Sequence, residues 1–306
     1  MSCLVGGAAT ADSNISPNAG MRYVAVDYAG DSEHNREGLI TLSQTFGDRW
    51  WGHLSGGKIR TESAGNAGDS TVSGLGVGVG GERWHFSVDA DTHRDGDKYR
   101  QTDWNASLGI NDNRWSIAVD GMHRNTDIED VLSVTGQQGN TVAVPVLDSI
   151  DGNGYGLHGS ISPIYRLDIF AGWIKYSYDV SVRQNGAATL NGISADELNA
   201  FLARFVGQLG RLLAQRPVQA SLVARSEALL DRTYNAGLSY QFDTVALTAE
   251  YLNDKTLQSG AIARTVQLTA EFFVGTHWLL APGIGRTTSD EFGDVTFGTL
   301  SVNYSW

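Results

Sequence analysis

Hydrophobic and polar positions alternate along most of this chain. Trp84, Phe86, Val88 and Ala90 fall on every second position, with Ser87 and Asp89 between them. Trp115, Ile117 and Val119 alternate with Ser116 and Asp120. The same rhythm runs through Tyr234, Ala236, Leu238, Tyr240 and Phe242, through Val266, Leu268, Ala270, Phe272 and Val274, and through Leu300, Val302, Tyr304 and Trp306. A period of two with one clean apolar side marks β-strands whose faces meet different media. Fourteen strands are predicted, near 21–28, 37–46, 50–59, 70–79, 84–92, 101–110, 115–123, 153–161, 166–178, 232–242, 244–253, 263–274, 278–286 and 295–306. No run approaches the roughly 18–20 apolar residues of a membrane-crossing helix, so residence in a membrane has to come from this alternation.

The turns carry a second pattern. Gly47-Asp48-Arg49-Trp50, Gly81-Glu82-Arg83-Trp84 and Asn111-Asp112-Asn113-Arg114-Trp115 each end a short polar turn in Arg-Trp, and Gly275-Thr276-His277-Trp278 is a relative. Indoles just past successive tight turns form a belt at one level. Trp50, Trp84, Trp115, Trp278 and the terminal Trp306 are therefore read as membrane-interface aromatics, where an amphipathic ring is stable. Arg49, Arg83 and Arg114 are placed to reach lipid headgroups there. Short connections follow Phe46, Val79, Ile110, Ile161, Phe242 and Val274. Longer ones are expected near 29–36, 60–69, 93–100, 124–152, 179–231, 254–262 and 287–294. Long loops at one end and tight turns at the other predict an all-β transmembrane antiparallel barrel with both termini at the turn end.

The last strand, Leu300-Ser301-Val302-Asn303-Tyr304-Ser305-Trp306, ends in an aromatic residue. It resembles the C-terminal signal of Gram-negative outer-membrane β-barrels, although the usual glycine is displaced upstream to Gly298. The resemblance covers nearly the whole chain and is porin-like in architecture, without indicating a narrower family. It implies location in a bacterial outer membrane. The partners it implies are the lipid bilayer, lipopolysaccharide, and the barrel assembly machinery during biogenesis.

Composition fits. Charged residues are 18%, glycine is present 37 times and proline 5 times. The net charge of −12 argues against a nucleic-acid partner. The single cysteine, Cys3, excludes an internal disulfide. Residues 1–11 look like the tail of a secretory signal, with Ala9-Thr10-Ala11 fitting a small-x-small cleavage site; an ordinary flexible tail is the alternative. Residues 12–306 then form one barrel domain.

One stretch departs from alternation. Within an insertion at about 185–230, Ser194-Ala195-Asp196-Glu197 is a capping box, and Leu198, Phe201, Leu202, Phe205, Leu209, Leu212 and Leu213 follow at helical spacing. The predicted helix is read as an extracellular cap, as a constriction inserted in the lumen, or as a surface for a partner or membrane. Phe201, Arg204, Phe205 and Arg211 are its constriction candidates.

The face opposite the apolar one is the expected lumen. It carries Asp27, His53, His85, Asp89, Asp91, Asp103, Asp120, His158, Asp168, Glu250 and Glu271. Asp89, Asp103, Asp120, Asp168, Glu250, Glu271 and His85 are the pore-lining candidates. Few bases accompany them, so the lumen favours cationic or polar solutes through its field; the plainer reading is hydrated carboxylates. Gly74, Gly76, Gly78 and Gly80 leave bare backbone on this face, either to admit a close neighbour or to ease strand curvature. His34, His93 and His123 are expected at the outer mouth, with Arg36, Arg94 and Arg124 facing lipopolysaccharide phosphates. Their spacing matches no metal-ligand signature, and no nucleophile motif is present. No catalytic residue, metal or cofactor is assigned.

The function read from the sequence is passive diffusion of small polar or cationic solutes, with access restricted by the helical loop. A non-conducting barrel that displays its loops is the second reading, and a hydrolase at the mouth is the third. Homo-oligomerisation stays open. A soluble β-protein is the rival fold, and it requires Trp84, Trp115 and Leu268 to be buried in a core.

Overall fold

A computed structural model describes residues 22–47, 49–63, 66–95, 99–128, 131–135, 141–145, 149–181, 230–256, 261–289 and 293–306. The expected signal-peptide tail, residues 1–11, and the constriction candidates Phe201, Arg204, Phe205 and Arg211 of the predicted helix lie outside them. The strands are β1 (Arg22–Asp31), β2 (Arg36–Phe46), β3 (Trp50–Ser63), β4 (Asn66–Gly80), β5 (Trp84–Asp95), β6 (Tyr99–Asp112), β7 (Trp115–Ile128), β8 (Val131–Thr135), β9 (Thr141–Pro145), β10 (Ser149–Ile164), β11 (Leu167–Ser181), β12 (Leu230–Gln241), β13 (Val245–Thr256), β14 (Ile262–Val274), β15 (Trp278–Ser289) and β16 (Gly293–Ser305). β1–β7 and β10–β16 form a closed antiparallel barrel of 14 strands in sequence order. β8 and β9 pair only with each other.

Closure is what lets such a sheet exist without an edge. β1 pairs with β16, and Trp306 and Arg22 exchange backbone hydrogen bonds of 3.2 and 3.0 Å at the seam. The ladders therefore satisfy the strand backbone on both sides, as a wall in hydrocarbon requires. Tight turns join the strands at the same end as the seam. Gly47 and Gly275 open two of these turns at φ 61° and 67°, a left-handed conformation that glycine adopts without steric cost. Arg166 takes φ 76° in the β10–β11 turn, where its guanidinium bonds Asp243 of the β12–β13 turn at 2.8 Å.

All fourteen predicted barrel strands are present. The connections opposite the tight turns differ from expectation. Pairing continues through most of the predicted loops, so that only 32–35, 64–65, 96–98, 257–261 and 290–292 separate five of the hairpins. Above the apolar band both faces of a strand are polar, so alternation stops while the hydrogen-bonded ladder goes on. The β8–β9 hairpin lies within the stretch 124–152 read as a long loop; its two strands, VLSVT and TVAVP, are apolar but only five residues each. Only the β7–β10 and β11–β12 connections are long.

The apolar face points outward around the whole barrel. Leu54, Val266 and Ile284 are 62%, 59% and 60% exposed. Trp84, Trp115 and Leu268 are 43%, 44% and 50% exposed, which overturns the soluble rival, since it needed them buried. Trp50, Trp278 and Trp306 are exposed at the same turn-end level. A second set, Tyr28, Trp104, Tyr155, Tyr234 and Tyr251, lies outward toward the loop end. Two levels of rings enclosing aliphatic residues give a testable expectation. In vesicles, lipid brominated near the headgroup should quench tryptophan emission more than lipid brominated at the chain ends, and the reverse order would contradict the placement of the belts.

Candidate functional site

The inner wall is built from the odd or even positions that the outer wall leaves. Pairing fixes this register. Gly76 and Asp89 lie opposite one another, as do Ser107 and Asp120, and Gly237 and Glu250, so each carboxylate shares its face with small inward residues. All seven pore-lining candidates, Asp89, Asp103, Asp120, Asp168, Glu250, Glu271 and His85, face inward, and so do Asp27, His53, Asp91 and His158. Glu37 and Asp254 face inward too, and both are buried. Extending the period of two from Glu250 by four residues reaches Asp254, so its signal was present in the sequence.

Asp120 and Asp103 are bonded to basic side chains, which changes what they offer a solute. Asp120 Oδ2 meets His158 Nδ1 at 2.6 Å, across the β7–β10 pair. Asp103 accepts two bonds from Arg124, Nε to Oδ1 at 2.8 Å and Nη2 to Oδ2 at 2.7 Å, and a third from Gln101 Nε2 at 3.1 Å. Arg124 is thus not on the outer rim as expected. It lies four residues after Asp120 on β7, hence on the same face, and is the one lysine or arginine among the described residues that points into the barrel. The fork geometry matches a carboxylate bidentately, so Asp103 does not act as an isolated negative charge.

Hydroxyl and amide groups fill the wall between the carboxylates. Ser116 and Ser160 bond at 2.7 Å, Thr265 and Thr287 at 2.9 Å, and Thr248 donates to Ser239 at 3.0 Å. Ser162 bonds Asp168, and Asn235 Nδ2 reaches Glu250 Oε1 at 3.5 Å. The glycine face of β4 does admit close neighbours, and these come from adjacent strands. A Cβ on Gly78 would collide with the Trp51 ring, one on Gly76 with the His53 ring, and one on Gly74 with Asp91 and Ser55. Trp51 and His53 stack over this floor, with ring centroids 5.9 Å apart and planes 12° from parallel. Trp51 was not singled out in the sequence because Trp50 dominated the turn motif.

Burial varies with height. Near the loop end Ile59, His93, Asp103, Arg124, Tyr176, Asp254, Thr287 and Phe297 are buried. Nearer the turn end His53, His85, Asp120, His158, Thr248 and Ser301 are half-buried, although Glu271, Ser239, Phe170, Ala25, Ala118, Ala246 and Ala281 are covered. The three rim histidines do not converge. His34 lies in the β1–β2 turn, His93 faces inward, and His123 faces outward, 3.0 Å from Asn153 Oδ1. Among the described residues no group of three or more His, Cys, Asp and Glu has a metal-holding arrangement.

No protein-family profile matches the chain, and no curated protein sequence matches it. Solved structures similar to it include the outer-membrane protein OmpT of Vibrio cholerae lacking one loop, with a TM-score of 0.47 at 9% identity over 94% of this chain and 98% of that one. The KdgM porin in complex with disordered oligogalacturonate gives 0.42 at 10% identity over 93% and 99% of the two chains. OccK3 (OpdO) of Pseudomonas aeruginosa gives 0.39 at 10% identity over 94% and 95%.

Proposed function

We propose that the chain spans a bacterial outer membrane and forms a passive channel for small polar solutes, with cations preferred. The observation that carries this reading is the opposition of the two faces. Leucine, isoleucine, valine and phenylalanine ring the outside, whereas carboxylates, hydroxyls and amides line the inside. Exposed apolar surface of that extent is far beyond what a soluble monomer presents. A 14-stranded barrel lies between those filled by their own side chains and the 16–18-stranded open porins, which suits a narrow passage. The burial of inward side chains near the loop end supports restricted access there, and the amphipathic stretch 194–215 is the part of the sequence proposed to restrict it. The divergence of His34, His93 and His123 supports a non-enzymatic reading. The barrel assembly machinery is the proposed partner during biogenesis, on the strength of the Leu300–Trp306 strand.

The test is single-channel conductance of the refolded protein in a planar bilayer under a salt gradient. Steady cation-selective steps are expected. Substituting Asp89→Asn, Asp120→Asn, Glu250→Gln and Glu271→Gln together should keep the steps and move the reversal potential toward zero. A unit charge about 10 Å from a passing ion contributes about 0.4 kcal/mol in water, cut to about 0.15 kcal/mol by one Debye length of screening at 0.1 M salt, so four of them favour a cation about threefold and disfavour an anion about threefold. Deletion of 185–228 should raise conductance. A folded barrel that stays silent, before and after that deletion, would overturn the channel in favour of loop display.

A further inference from the structure

A tryptophan that faces an aqueous lumen needs a reason. Seven of the chain's eight tryptophans lie on the outer wall or at its turn-end rim. Trp51 alone points inward, between Thr45 of β2 and Gly78 of β4. His53, two residues on, points the same way between Ser43 and Gly76. Each ring lies over the bare backbone of its β4 partner, where a Cβ would collide with it. Covering a glycine does not by itself call for these residues. Phe170 covers Gly237 and Phe297 covers Gly285 in the same manner, and both phenylalanines are buried. Trp51 and His53 are only half-buried, so part of each ring still faces the lumen. Their planes are 12° from parallel and their centroids 5.9 Å apart, which sets a pair of π surfaces on a wall otherwise made of hydroxyls, amides and carboxylates.

The charge beside the rings selects the occupant. Asp89 and His53 converge over Gly76, and Asp91 and Ser55 converge over Gly74. Among the described residues no lysine or arginine faces this patch, since the one inward base, Arg124, is bonded to Asp103. The face of an aromatic ring is the negative part of its quadrupole, so rings and carboxylates here attract the same kind of solute. A potassium or sodium ion keeps its hydration shell and gains little from a ring. An alkylated ammonium spreads its charge over an apolar, weakly hydrated surface, which suits a ring on one side and carboxylates on the other. A neutral sugar can lie on the ring but gains nothing from the field, and an anion is repelled by it.

We infer that Trp51 and His53, with Asp89 and Asp91 supplying the field, form a docking subsite in the lumen for organic ammonium ions that carry N-alkyl groups. The inference rests on the channel reading, from which it takes a solvent-filled lumen, and it narrows the class of solute. The probe is choline, titrated by ligand-observed NMR into the refolded protein in dodecyl maltoside micelles, which carry neither charge nor choline. The comparison arm is its uncharged isostere, with a tert-butyl group in place of trimethylammonium. Trp51→Leu should bind choline about fivefold more weakly, and the isostere should bind the parent about fivefold more weakly than choline does. Asp89→Asn/Asp91→Asn should cost about threefold more. Trp50→Leu, one residue away on the outer wall, should bind as the parent does. Heat-modifiable gel migration checks folding, and Trp51→Phe, expected at about twofold, serves if Trp51→Leu does not refold. Tetramethylammonium should displace choline from the parent, and an equal concentration of potassium should not. No binding of choline, equal binding of the isostere, unchanged binding by the Trp51 variants, equal loss in Trp50→Leu, or displacement by potassium would each overturn the subsite. The channel reading fails separately: a barrel that is silent in the bilayer yet binds choline through Trp51 would sink the channel and leave the subsite standing.

Discussion

Replacing Asp103 by leucine is expected to destabilise the barrel by about 3–5 kcal/mol, the cost of leaving one partner of a buried ion pair without the other. Arg124 and Asp103 are 3% and 2% exposed and share two bonds. Gln101 donates to the same carboxylate, so the substitution also removes that acceptor. Tyr176, Tyr178 and Leu230 cluster at the same end of the barrel and keep water away from this side of the interior. A guanidinium left there is buried and has lost its bidentate carboxylate. The double variant Asp103→Leu/Arg124→Met should recover most of the loss, because exchanging a whole buried pair for apolar groups of similar size is often neutral or better. Urea unfolding of the refolded protein, followed by tryptophan emission, measures both. A single-variant cost below about 1 kcal/mol would place the pair in the exposed class and show that water reaches it. A double variant as unstable as the single would show that the pair specifies the fold of this end.

The same pair marks where the sequence was legible and where it was not. Alternation reports the contrast between two media, so every strand segment that has lipid on one side and the lumen on the other could be read. That gave all fourteen barrel strands and the inward direction of Asp89, Asp120, Glu250 and Glu271. Above the apolar band the contrast vanishes. Arg94 and Arg100 lie opposite each other in a continuing ladder, yet nothing in their polarity separates them from loop residues. Arg124 was assigned to the rim because it follows the last apolar residue of its strand; counting by twos from Asp120 would have turned it inward. The partners of the inward groups were less legible still. Which carboxylate meets a base depends on inter-strand register, and no short-range pattern encodes that Asp103 of β6 lies opposite Arg124 of β7. The outward row in which Lys175 of β11 lies opposite Arg232 of β12, and Arg232 opposite Lys255 of β13, was hidden for the same reason, since its members are remote in sequence and only pairing aligns them.

The second large effect separates the two faces of a single strand. Leu268→Arg is expected to destabilise the protein in vesicles by about 2–4 kcal/mol, whereas Thr269→Arg, one residue on, should lie within about 0.5 kcal/mol of the parent. Leu268 is 50% exposed on the outer wall, opposite Ala249 and Ile284, midway along β14 between Phe272 and Arg264. In the membrane reading this is near the bilayer centre, where a guanidinium can reach neither headgroup level without distorting the lipid. Thr269 lies opposite Thr248 and Gly283 on the inner wall, where half-buried polar groups and nearby Glu271 accommodate a cation. Were the outer wall bathed in water, the order would invert: Leu268→Arg would be harmless and would raise solubility. Unfolding titrations of the two variants in lipid vesicles therefore test the membrane placement without assuming conductance. Equal, small costs for both would contradict it, and equal, large costs would mean that the inner wall at Thr269 is as closed to charge as the lipid face.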